Sequence, residues 1–148
     1  MRISDVLKDK SQKLVTVSAS DSIAEALLRM SDERVGALVV RSESGRLIGV
    51  LSERDVIMGV NAFGAALLNM AVDNVMALDV PTASPSDSII ETMKVMTEQR
   101  VRHLPVIEGN VVVGLVSIGD ITKFRLAEKT EENNVLQDLA KFRLAAAA

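Results

Sequence analysis

The chain has no tryptophan, no tyrosine and no cysteine, and only three phenylalanines among 148 residues. Lacking cysteine, it has neither a disulfide framework nor a thiolate metal site, and the redox compartment stays open. The shortage of aromatics removes the platform on which nucleic-acid bases stack. Lys and Arg are scattered singly in a chain of formal charge −3, which argues against a nucleic-acid surface. Long apolar runs are missing too: residues 35–40 and 111–116 are far too short to span a bilayer. The start, Met1-Arg2-Ile3-Ser4-Asp5, has no apolar signal core, so a cytoplasmic protein without a membrane partner is expected. The one histidine, His103, has no nearby Cys or His with which to hold a metal.

What is present is a repetition. Residues 14–40 align with 80–106, and twelve of the 27 positions are identical, including Ser20-Asp21-Ser22-Ile23 against Ser86-Asp87-Ser88-Ile89. One residue drops out in the next turn, and the register returns at two corners. Gly49-Val50-Leu51-Ser52-Glu53-Arg54-Asp55-Val56 is matched by Gly114-Leu115-Val116-Ser117-Ile118-Gly119-Asp120-Ile121. A weaker pair, Ser4-Asp5-Val6-Leu7 and Asp73-Asn74-Val75-Met76, gives each repeat a short lead-in.

Each repeat reads as β-α-β-β-α. A short strand (15–17 or 81–83) precedes a helix opened by Ser22-x-x-Glu25 or Ser88-x-x-Glu91, both capping-box patterns. The buried face is expected at Ile23, Leu27 and Met30, and at Ile89, Met93 and Met96. Strands at 37–41 and 47–51, and at 103–107 and 111–116, turn at Ser44-Gly45 and Gly109-Asn110. A second helix starts at each Ser-x-x-Asp. One such unit leaves apolar surface uncovered, so two should pack together. The division expected is residues 1–70 for the first repeat with its lead-in and connector, 71–126 for the second, and 127–148 for a helical tail. In that tail Val135, Leu139 and Phe142 form an apolar stripe suited to intramolecular packing or a dimer contact.

The Ser-x-x-Asp corners carry the candidate chemistry. Each sets a hydroxyl and a carboxylate at a helix start, where free backbone N–H groups attract anions. An ionised Asp only accepts hydrogen bonds, which suits a vicinal diol. The plain alternative is that Ser-x-x-Asp merely caps its helix. His103 divides between a strand-edge residue and a phosphate contact. Arg34 and Arg100, identical in the repeat, read as charges at helix C-termini, and Met30, Met93 and Met96 as core.

Two β-α-β-β-α units that close with Gly-apolar-apolar-Ser-x-x-Asp resemble the tandem cystathionine-β-synthase (CBS) domain pair, or Bateman module. Arg100-Val101-Arg102-His103-Leu104-Pro105-Val106 is similar to that family's second-strand signature. The resemblance implies an α/β (α+β) fold of two repeats packed with pseudo-twofold symmetry, plus a C-terminal helix, in a stand-alone and non-catalytic protein. It implies clefts between repeats for AMP, ADP, ATP, NAD or S-adenosylmethionine, a regulated partner protein, and a homodimer. No cofactor is required. Carried over residue by residue, Asp55 with Ser52 and Arg54 would face Thr82, Ala83, Arg102 and His103. Asp120 with Ser117 and Gly119 would face Thr16, Val17, Gly36 and Ala37. The first cleft, with Arg54, Arg102 and His103, would prefer a phosphorylated adenosine. The second, with Gly119 and Gly36-Ala37 and little charge, would take a less charged adenosine moiety or stay empty. The competing reading is a structural homodimerisation module with vestigial ligand sites.

Overall fold

In the repeat helices, start and stop are both local. A computed structural model describes residues 1–10 and 13–147. In it the first repeat helix, α2 (Ile23–Glu33), is closed at its start by a reciprocal pair. The Ser22 hydroxyl accepts from the Glu25 N–H at 3.1 Å, and the Glu25 carboxylate accepts from the Ser22 N–H at 2.9 Å. Its counterpart α4 (Ile89–Gln99) forms only half of the expected capping box: the Ser88 hydroxyl accepts from the Glu91 N–H at 3.1 Å, without the return bond to the Glu91 carboxylate. Both end in a left-handed residue, Arg34 or Arg100 (φ 54° in each), whose N–H returns to carbonyls of the last turn. Glycine is the usual occupant of that position, because a Cβ is crowded there. The buried faces differ from expectation by one position. Ile23, Ala26 and Met30 are buried in α2, and Ile89, Thr92 and Met96 in α4, while Leu27 and Met93 lie half-buried at the margins. Thr92 is tolerated inside because its hydroxyl donates to the Ser88 carbonyl at 2.8 Å.

Most strands are continuous buried runs, as in β2 and β4, and only β5 alternates along its length. β1 (Thr16–Val17) pairs parallel with β2 (Ala37–Arg41), which pairs antiparallel with β3 (Leu47–Ser52). In the second repeat β4 (His103–Glu108) and β5 (Val111–Ser117) form the corresponding hairpin. The strand expected at 81–83 is reduced there to a single parallel bridge, Ala83 to Val106. Pro81 and Pro85 bracket that bridge, and neither has an N–H to extend a ladder. From each hairpin a second helix departs, α3 (Glu53–Phe63) and α5 (Ile118–Ala147). After α3 the chain tightens into 3-10 turns at Gly64–Asn69 and Val72–Asn74. The tail is no separate element: it is the outer part of α5, an unbroken helix of 30 residues, roughly 45 Å long at the usual rise.

The lead-ins change sides. Helix α1 (Ile3–Asp9) precedes the first repeat in sequence, yet Ile3 and Val6 are buried with Ile89, Met96, Leu104, Val116 and Ile121 of the second. Backbone bonds pin it there: Ile3 N–H to the Asp87 carbonyl at 3.0 Å and Ser4 N–H to that of Pro85 at 2.9 Å. Reciprocally, Val72 is buried with Val17, Ile23, Leu38 and Leu51 of the first repeat. The Val72 N–H donates to the Asp21 carbonyl at 2.8 Å. Each core is thus completed by a segment that the other repeat would claim by sequence. The glycines opening the two corners make room for this. A Cβ on Gly114 would stand 2.9 Å from Leu7 Cδ2, and one on Gly49 only 2.7 Å from the Ala77 carbonyl oxygen.

Candidate functional site: two unequal clefts between the repeats

Both Ser-x-x-Asp corners form as helix starts. At the first, Asp55 Oδ2 accepts from the Ser52 N–H and from its hydroxyl, each at 2.8 Å. At the second, Asp120 Oδ2 accepts from the Ser117 N–H at 2.9 Å, and the Ser117 hydroxyl accepts from the Asp120 N–H at 3.0 Å. The leading amide of each helix is tied to the residue just before the neighbouring strand, Glu53 N–H to the Gly36 carbonyl at 3.0 Å and Ile118 N–H to that of Arg102 at 2.9 Å. Both Asp side chains therefore cap their helices and also stand at the edge of a cleft.

The Asp55 cleft has a volume of about 750 Å³. It joins the first repeat's corner (Ser52, Glu53, Arg54, Asp55) to the second repeat's Gln99, Arg100, Val101, Arg102 and His103. Val50, Ile57, Met58, Ala77 and Val80 supply apolar wall. Three arginines line it, and among the described residues none of them is in an ion pair. Among the described residues Asp55 is in no ion pair either. Of the residues the sequence placed here, Thr82 and Ala83 do not line the cleft: Thr82 is exposed and Ala83 is buried in the second core. Val80 lines it in their place. Arg100, read as a helix-end charge, sits at that end and lines the cleft as well; its identity with Arg34 in the repeat was the available signal.

The Asp120 cleft is about 250 Å³ and joins Ser117 and Asp120 to Val15, Arg34, Val35, Gly36 and Ala37 of the first repeat. Thr16, Val17 and Gly119 do not line it: Val17 is buried in the first core, and the Thr16 carbonyl accepts from Arg29 at 2.6 Å. The expectation of little charge is overturned here, since Lys10, Lys13 and Arg34 all line this cleft. Lys10 is brought by the exchanged lead-in, as the residue that closes α1, whereas Arg34 comes from the end of the first repeat's own α2. Lys10 Nζ lies 2.8 Å from Asp120 Oδ2 and donates to the Leu115 carbonyl at 2.9 Å. Burial by itself would raise the Asp120 pKa. The hydrogen bonds from Lys10 and Ser117, with the Lys10 charge, outweigh that and hold it below the ordinary carboxylate value. No local pattern pointed to Lys10.

His103 and Gly36 line both clefts and form the wall between them. Burial lowers the His103 pKa, the positive charges of Lys10 and Arg102 act in the same sense, and Asp120 and Glu53 oppose them. The imidazole is accordingly neutral at pH 7.

Two β-α-β-β-α units with exchanged lead-ins, enclosing paired clefts that each draw on both halves, define a tandem-repeat module with inter-repeat clefts. The chain belongs to the CBS-domain family, whose model matches residues 3–61 and 72–127. It is 32% identical over 138 residues to the mitochondrial CBS domain-containing protein CBSX3 of Arabidopsis thaliana, covering 88% of this chain and 67% of that one. The structure of a CBS-domain containing protein from Agrobacterium tumefaciens superimposes with a TM-score of 0.80 at 34% identity, over 84% of this chain and 99% of that one. The CBS domain pair of protein MJ0100, solved in complex with 5′-methylthioadenosine and S-adenosyl-L-methionine, shares the fold at 20% identity. Its TM-score is 0.76, over 86% of this chain and 98% of that one. Among the described residues no helix is long and apolar enough to cross a membrane.

Proposed function

We propose that the chain is a non-catalytic regulatory module that binds a phosphorylated adenosine compound in the Asp55 cleft and modulates a partner protein accordingly. One observation carries this reading. An aspartate at a helix start, in no ion pair among the described residues, shares a cleft of about 750 Å³ with Arg54, Arg100 and Arg102 and an apolar wall. That volume is within the usual range for small-molecule sites. Asp55 presents acceptors to a ribose diol, and the Ser52 hydroxyl can rotate aside to free them. The arginines suit phosphate oxygens through charge-assisted hydrogen bonds. Ile57, Met58 and Val80 suit a purine face. The adenosine compounds held by the MJ0100 pair support this choice of ligand class by analogy of fold.

Calorimetric titration with AMP, ADP, ATP, NAD and S-adenosylmethionine tests the reading. At least one should bind, and Asp55→Asn should weaken it. Asn keeps an acceptor for the Ser52 N–H but loses the charge, and hydrogen bonds to charged groups are worth about 1.5–3 kcal/mol. That corresponds to roughly 10- to 150-fold in Kd. No binding across the panel, or an Asp55→Asn chain that binds as tightly as the wild type, refutes it.

The outer half of α5 supports a second copy of the chain as a partner. Val135, Leu139 and Phe142 are exposed at the 4-3 spacing of a coiled-coil seam. Asp138 and Arg143 flank that seam five residues apart, a spacing that sets acid against base across a parallel pair.

A further inference from the structure

We infer that Lys10 is a built-in occupant of the Asp120 corner, closing the second cleft to nucleosides, so that the chain takes one adenosine ligand rather than two. The inference rests on the proposed role of the Asp55 cleft and goes beyond it, because it names the residue that makes the clefts unequal.

The two carboxylates differ in what a diol would have to displace. At Asp55 the competitor is the neighbouring Ser52 hydroxyl, which turns away at little cost and exposes no charge. At Asp120 the competitor is an ammonium at 2.8 Å that is also anchored on the Leu115 carbonyl at 2.9 Å. Neither member of that pair is freely solvated; their side chains are 21% and 24% exposed. A ribose entering there would have to separate the two charges and leave the ammonium on the Leu115 carbonyl without its anion, which a neutral diol cannot replace.

The asymmetry comes from the lead-ins. Leu7 sits against Gly114 as Met76 sits against Gly49, so the same register matches Lys10 to Asp79. Asp79 is a carboxylate, exposed and in a left-handed conformation, and it cannot pair with Asp55. One corner thus receives a cation from the exchanged segment, whereas the matching residue Asp79 stays exposed and does not line the other cleft. The smaller volume of the Asp120 cleft follows in part from the Lys10 and Leu7 side chains that line it.

The test is calorimetric stoichiometry with ATP, AMP and S-adenosylmethionine on the whole chain. The wild type should bind one ligand per chain, and Lys10→Ala should bind two. The added event should vanish again in Lys10→Ala/Asp120→Ala. Lys8→Ala, on the same helix but exposed, should stay at one. Independently of any ligand, carboxyl carbon NMR should show the Asp120 pKa rising in Lys10→Ala. A wild type that binds two ligands, or a folded Lys10→Ala chain that binds one, overturns the inference and leaves the proposed function standing. A wild type that binds none overturns the proposed function instead. The Lys10 variant then decides alone: one event abolished by Asp120→Ala sustains the inference, and no event overturns it.

Discussion

Replacing Ile3 with alanine tests whether the lead-in exchange holds the molecule together. Ile3 is fully buried among Ile89, Met96, Leu104, Val106 and Val116, all from the second repeat. Ile3→Ala removes three methyl or methylene groups. At about 0.8 kcal/mol each their transfer is worth roughly 2.4 kcal/mol. The cavity left in a packed site adds more, since truncations of this kind cost about 2–5 kcal/mol. About 3 kcal/mol is the expected loss, a large share of the roughly 5–15 kcal/mol that stabilises a domain. For a chain of this length it lowers Tm by about 10 °C. Urea denaturation followed by circular dichroism measures it, with Leu28→Ala as the control because Leu28 is 63% exposed. Hydrogen exchange says where the loss falls. Amides of α4, β4 and β5 should lose protection before those of β2 and β3. A loss below about 1 kcal/mol, or protection lost first in β2 and β3, would refute the exchange.

Three further outcomes follow from the same contacts. Gly49→Ala should destabilise more than Gly114→Ala, by about 1–3 kcal/mol, because its new Cβ meets the Ala77 backbone oxygen whereas that of Gly114 meets the movable end of Leu7; equal urea midpoints would contradict this. His103 has a lowered pKa in the folded chain. Below about pH 6.5 the unfolded chain therefore binds the proton first. The stability associated with neutral His103 is complete above that pH and is lost as pH falls towards the folded value. His103→Gln should flatten this part of the stability profile, and an unchanged slope would discount it. Leu139→Glu, which places a charge in the exposed seam of α5, should convert a dimer to a monomer in light scattering and remove the concentration dependence of the melt; an unchanged mass would remove that helix from the interface.

The features set by near neighbours in sequence lie where the local patterns place them. The α2 and α4 caps at Ser22 and Ser88, β2, and the helix starts after Ser52 and Ser117 appear where the Ser-x-x-Glu patterns, the apolar run and the repeated corner put them. These features depend on residues within one turn or one hairpin, so the sequence alone encodes them. The corner of each repeat lies against the other repeat, as the resemblance implies, while the lining residues differ in part from those it implies. Val80 rather than Thr82 and Ala83 lines the first cleft, and Val15 rather than Thr16 and Val17 lines the second. Alternation says which strand residues turn inward without saying how two packed repeats rotate against each other. The strand at 81–83 shrank to one bridge because two prolines withheld donors, a cost that apolar patterning does not register.

The sequence by itself determined the duplication, the elements within each repeat and the two carboxylate corners, since each is written in neighbours that meet wherever the rest of the chain goes. Tertiary structure decided that α1 crosses to the second repeat, that Lys10 lands on Asp120, and that the clefts differ threefold in volume. Lys10 and Asp120 are 110 positions apart. Their meeting depends on Leu7 finding the space that Gly114 leaves open, a packing event between distant segments with no periodicity to announce it.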